Sequence, residues 1–224
     1  MSNLQPSDHI RDTHLKSLLD IVFENSQKQL QELRNQLAEE PKKLTEKERE
    51  FMFRECAKLD NVGHLQAKLD DYRDANSRLT AGQKAKESLA SNNSENLGNH
   101  LRAIGQFKFG ENWHAHHIVC TRHGSHAAAR FKLFAYFGIN DPHNGCWLPT
   151  LHKYAKNTPS PHAVGHNFIH TNKYADWVGR EIRPAIDKDD LIRRLNSVRL
   201  KLVDARTLPD ILTDKGKQDF STNY

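Results

Sequence analysis

No apolar run in this chain approaches the roughly 20 residues that a membrane-spanning helix requires, and the mean hydropathy of −0.79 is that of a polar chain. The opening residues, Met-Ser-Asn-Leu-Gln-Pro-Ser-Asp (1–8), carry neither the basic n-region nor the apolar h-region of a signal peptide. The expectation is a protein made in the cytosol, with no Sec-type address and no membrane partner. Cysteine is scarce. The three present (Cys56, Cys120, Cys146) lie far apart and form no Cys-x-x-Cys, which argues against a disulfide framework and a thiolate zinc site. Cys120 and Cys146 flank a histidine-rich stretch and are candidate nucleophiles or ligands, although a buried free cysteine usually serves packing. Acidic charge is in deficit: the net charge is +5 and the isoelectric point about 9.1. That balance suits a polyanionic substrate without establishing one.

Residues 1–90 read as helical and polar. Leu15, Leu18, Leu19, Val22, Leu30, Leu33 and Leu37 recur at spacings of three and four, the pattern of an amphipathic helix that Pro41 stops. Thr45-Glu-Lys-Glu48 is a capping box for a second helix, with Phe51, Phe53, Cys56 and Leu59 as its apolar contacts. Asn61-Val-Gly63 is expected to end it, and a third helical stretch runs from about His64 to Leu79. The polar, breaker-rich residues 91–99 are the best boundary in the chain. This predicts a helical region over 1–98, serving delivery, oligomerisation or partner binding, and a second domain over 99–224. A fragment from residue 99 would then work alone, unless the helical half packs over the second domain and completes it.

Beyond that boundary, Trp113–Val119 reads as extended and Ala127–Phe137 as a helix closed by Gly138. Asn144-Gly145 is a turn signal before the short apolar run Cys146–Leu148, which Pro149 terminates. Ser160 and Pro161 look like the N-cap and first residue of a helix reaching about Arg183. Leu191, Leu195, Val198 and Leu202 stripe a last helix over 188–204.

Eleven of the 14 histidines fall between His100 and His170. Histidine titrates near neutral pH and is the commonest metal ligand, so the density points to metal binding or acid–base work. On a helix, His166 and His170 would lie one turn apart on one face, able to grip one cation, with His162 continuing the row. His116 and His117, adjacent in an extended segment, would point to opposite sides. One could face a metal and the other an attacking water. Asn144 could brace its loop through backbone bonds. Each feature alone has an ordinary explanation, as a surface pair, an ordinary strand or a common turn. Their order within 55 residues is harder to attribute to chance.

Several blocks together make the likeness specific. Trp-His-Ala-His-His-Ile-Val (113–119), Ala-Ala-Ala-Arg-Phe (127–131), Gly-Ile-Asn-Asp (138–141), His-Asn-Gly-Cys-Trp-Leu-Pro (143–149) and His-Asn-Phe-Ile-His-Thr-Asn-Lys-Tyr (166–174) resemble the AHH nucleases of the HNH/endonuclease VII superfamily. The resemblance covers about 110–183, with none found in the first hundred residues, and implies a ββα-metal, HNH-like nuclease domain; with the mostly helical N-terminal region read above, this makes an α+β chain. It implies His116, His166 and His170 as metal ligands, His117 as general base and Asn144 as the central Asn, or as a direct ligand as in other branches. The insert-like residues 153–160 leave the role of His152 open. Arg122 and Arg130 are candidates for holding substrate phosphates, or else solvated surface charges. The implied cofactor is a divalent ion (Mg, Zn, Mn or Ni) and the implied partner nucleic acid, DNA before RNA. Many relatives are bacterial toxin modules, so a type VI-like effector role, a cognate immunity protein, a delivery component and entry into a target-cell cytoplasm are further expectations. The rival readings are a non-catalytic metal- or nucleic-acid-binding module and a hydrolase of small phosphoesters.

Overall fold

The computed structural model describes residues 45–91, 94–121, 127–205 and 211–223, and four single helical positions at 28, 31, 32 and 35. The leucine stripe expected between Leu15 and Leu37 lies outside the described residues, as does Arg122. The chain divides into two compact units, Met1–His64 and Leu65–Tyr224. No described helix is long and apolar enough to cross a membrane.

Helix α1 spans Glu46–Ser77. Its start is set by the reciprocal cap expected from the sequence: Thr45 N–H donates to Glu48 Oε2 at 2.8 Å, and Glu48 N–H to Thr45 Oγ1 at 3.3 Å. The helix continues through Asn61-Val-Gly63, where a stop was expected. A lone glycine costs a helix only about 1 kcal/mol relative to alanine, too little to break a long one. Phe51 and Phe53, read as apolar contacts, are 57% and 63% exposed.

Helices α2 (Ala81–Ser91) and α3 (Ser94–Ala103) follow. α3 covers most of the stretch read as a breaker-rich join, so residue 98 lies inside a helix. Leu97 and Leu101, one turn apart, are fully buried, and a Cβ on Gly98 would come within 3.0 Å of the Trp147 ring. The absent side chain lets α3 lie close on the sheet. That sheet is an antiparallel pair, β1 (Trp113–His117) and β2 (Gly145–Pro149), in the register Trp113↔Pro149 to His117↔Gly145. Helix α4 (Ala127–Tyr136) bridges the two strands in sequence. Every residue of β2 is buried, because α3 and α6 (Lys188–Val203) both pack on it. On α6 the predicted stripe Leu191, Leu195, Val198 and Leu202 is fully buried.

The helix expected from Pro161 does not form there. Val164 N–H donates to Leu202 O and Ala205 N–H to His162 O, both at 3.0 Å, which ties residues 162–164 to the end of α6 instead. His166–Phe168 is a single 3-10 turn, and helix α5 (Asn172–Ile182) begins only where Thr171 Oγ1 accepts the Tyr174 N–H at 3.0 Å. Helix α7 (Asp214–Asn223) closes the described chain. The architecture is α+β as expected, mostly helical around one small sheet.

Burial along α6 separates two leucines sharply. Leu195→Ala empties a fully buried site and should cost about 2–5 kcal/mol. Leu200→Ala, at a position 65% exposed, should stay within about 0.5 kcal/mol. Denaturant titration of the two variants tests the packing of this helix.

Candidate metal centre

The last turn of β1 carries two histidines whose rings diverge because successive strand side chains alternate sides. His116 and His117 are 1% and 8% exposed. His116 turns toward the segment before α5, where its ring centroid lies 5.2 Å from that of His166 and 5.4 Å from that of His170. One nitrogen from each of the three rings can be chosen so that all lie within 4.8 Å of one another. His166 and His170 face each other with their Nε2 atoms 3.1 Å apart. They meet across a 3-10 turn and the two residues after it, not on the α-helical face expected from their spacing. The turn brings residues four apart together as a helix would, so the pairing survives the loss of the helix.

Hydrogen bonds set the ring states. Tyr174 Oη donates to Ile118 O at 3.0 Å, so it meets His116 Nε2, 2.8 Å away, as an acceptor. His116 Nε2 is therefore the protonated nitrogen, and the lone pair falls on the buried Nδ1. Burial pushes the Tyr174 hydroxyl far above the usual phenol range, which keeps that donor in place. Tyr174 was not singled out as a site residue, although the Thr-x-x-Tyr spacing after His170 is its signal. Thr171 starts the helix, and one turn later the helix carries Tyr174 to the His116 ring.

His166 is held down to about 4, first by burial and then by the neighbouring His170, His114 and His117. An imidazole that stays neutral so far into acid presents a lone pair, which a metal ligand needs. His114, exposed at the rim, stacks over His166 at 6.0 Å between centroids. The donor set fits a divalent cation: three imidazoles, one of them oriented by a hydrogen bond on its far side, as metal-bound histidines commonly are.

His117 points the other way. Its Nε2 donates to Asn140 Oδ1 at 2.9 Å, leaving Nδ1 as its basic nitrogen. Burial lowers its pKa, and the bond to Asn140 partly offsets this. Asn140 was missed as a site residue, despite lying in the Gly-Ile-Asn-Asp block. Asn144 is fully buried and directed at backbone. Its Oδ1 accepts from Val119 N at 2.8 Å, and its Nδ2 donates to Val119 O at 3.0 Å and Ile139 O at 2.9 Å. That is a bracing position, apart from the three-histidine group. Arg130 on α4 donates through Nη1 to the carbonyls of Cys120 and Thr121 at 3.3 and 3.4 Å. His152 is buried with Nδ1 on Ala163 O at 2.9 Å; neither it nor His162 joins the group. Burial lifts the Cys146 thiol to about 12, which suits packing rather than nucleophilic attack.

One strand of a two-stranded antiparallel sheet and the 3-10 turn before α5 bring together three imidazoles that could hold a metal ion. Residues 97–203 match the model of AHH, a nuclease family of the HNH/ENDO VII superfamily with conserved AHH. The match supports a nuclease function, with nucleic acid as the substrate class it implies. No curated protein and no solved structure matches the chain.

Two variants test the centre. Tyr174→Phe removes the acceptor that orients His116 and should weaken Zn²⁺ or Mn²⁺ binding about 10–100-fold in titration calorimetry. The double variant His166→Ala/His170→Ala should abolish it. Unchanged binding in the double variant would mean that these rings are not the site.

Proposed function

We propose that the chain is a metal-dependent endonuclease that cuts DNA and acts as an antibacterial toxin or effector. The observation that carries this reading is the convergence of three imidazoles from two separate segments within 4.8 Å, on the strand whose next residue is a buried, oriented histidine. His116, His166 and His170 would hold a divalent ion, and imidazole donors suit Zn²⁺ or Ni²⁺ better than Mg²⁺ or Mn²⁺. Such an ion would polarise a phosphoryl oxygen and stabilise charge on the leaving 3′ oxygen.

The proton work falls to His117. With Nε2 committed to Asn140, its Nδ1 takes the proton from the attacking water. The lowered pKa keeps that nitrogen unprotonated at neutral pH. Asn144 holds the end of the strand in place through its three backbone bonds. Arg122 and Arg130 are assigned to substrate phosphates, and the net charge of +5 favours a polyanion near the site. DNA and the toxin role rest on the resemblance to toxin nucleases, which also brings a cognate immunity protein and a delivery component as partners.

Cleavage of plasmid DNA by the full chain should stop with EDTA and return with added metal, with single-stranded RNA run in parallel. His117→Ala should slow cleavage by about 10²–10⁴-fold while calorimetric metal binding stays as in the wild type. Expression should kill a bacterial host, and His117→Ala should spare it. A variant that cuts at the wild-type rate would remove His117 from the mechanism, and metal binding without any cleavage would make the chain a binding module.

A further inference from the structure

The family match begins at residue 97, yet the partner of His117 is held from before it. The last turns of α1 pack Leu65 and Leu69 against Ala103, with Tyr72 and Ile104 at the edge of that small cluster. From this footing Tyr72 reaches the loop between α4 and β2, where its Oη accepts the Asn140 N–H at 2.9 Å. His100 on α3, its ring 4.7 Å from that of Tyr72, donates through Nδ1 to Asn140 O at 2.8 Å. Both backbone polar groups of Asn140 are thus held by side chains of earlier helices. Its Oδ1 takes the His117 ring proton.

The neighbours repeat the contact. Arg73 Nε donates to the buried Asp141 Oδ2 at 3.0 Å, and Asp141 Oδ1 accepts the His143 N–H at 2.9 Å. A Cβ on Gly138 would fall 2.2 Å from Tyr72 Oη and 2.3 Å from Asn76 Oδ1. Only a residue without a side chain lets α1 approach this closely. A solvent-facing helix would not need such a fit on one short loop.

We propose that Tyr72, on a helix outside the family-matched segment, is a positioning residue for His117, acting through Asn140, so that the end of α1 belongs to the working nuclease. This rests on His117 being the base. A hydroxyl that fixes the backbone of Asn140 fixes where Oδ1 sits, and Oδ1 sets both the tautomer and the tilt of the His117 ring. A ring displaced by about 1 Å from the attacking water can lose as much as 10²-fold in rate.

The experiment compares full-length wild type, His117→Ala, Tyr72→Phe, Asn140→Leu and Asn140→Asp for kcat and KM on DNA, calorimetric metal binding and melting temperature. Tyr72→Phe is expected to lower kcat about 10-fold, with KM and metal affinity within about 2-fold, because it removes one hydroxyl far from the substrate side of the ring. Asn140→Leu should lower kcat by about 10²-fold, whereas Asn140→Asp, which keeps an oxygen acceptor, should retain most of it. Adding Tyr72→Phe to Asn140→Leu should change kcat no further, as for groups acting in one chain. The proposal is overturned if Tyr72→Phe keeps the wild-type kcat while His117→Ala is inactive. It is also overturned if the Tyr72→Phe loss appears equally in KM and metal binding, or adds in full to that of Asn140→Leu. Should the Asn140 variants not fold, Tyr72→Phe alone decides through its kcat. Full activity in His117→Ala would instead overturn the base assignment itself, a result distinguishable from all of these.

Discussion

Asn144 gives its whole side chain to the backbone, accepting from Val119 N and donating to the carbonyls of Val119 and Ile139. The Ile118 N–H returns the bond to Asn144 O at 2.9 Å. These bonds clamp the chain leaving β1 to the chain entering β2, at the end of the ladder where His117 pairs with Gly145. Arg199 of α6 closes the other side, with Nε on Gly145 O and Nη2 on Pro142 O, each at 2.8 Å. A strand pair of five residues each is marginal by itself. The rigid end of this one comes from side chains that take over where ladder bonds stop. The directions of His116 and His117 depend on that clamp, since a shift of one residue in register would exchange their faces.

Concentrating imidazoles in one place has a cost that the structure turns to use. Burial first, and then the neighbouring imidazoles, make protonation of His166 harder, so it stays neutral into acid. Two hydrogen bonds then set the ring states of the β1 pair: Tyr174 Oη accepts the Nε2 proton of His116, and Asn140 Oδ1 that of His117. In both rings the lone pair is left on Nδ1, on opposite sides of one strand. Oriented neutral imidazoles are what both a metal ligand and a general base require.

Much of this was legible in the sequence wherever a local rule met no competition. The capping box at Thr45–Glu48, the helix of residues 127–136 and the stripe Leu191–Leu202 obey periodicity and capping alone, and the structure keeps them. The misreadings come where a distant partner outbids a local signal. Ser160-Pro161 opens no helix because residues 162–164 bond to the end of α6. The polar stretch 91–99 is mostly helix because Leu97 and Leu101 find a sheet to cover.

The residue types around the three-histidine group, and their order, are written in the chain: the histidine pairs, the Asn-Gly between them and the Thr-x-x-Tyr that follows. These are properties of spacing, and spacing is local. Which nitrogen of His116 and of His117 carries the proton, and that Tyr72, His100 and Asn140 stand behind His117, follow from folding alone. Those choices depend on hydrogen bonds between residues 23 to 68 positions apart. No periodicity encodes a contact made by packing one element on another, so the partner that orients a histidine appears only when the chain is folded.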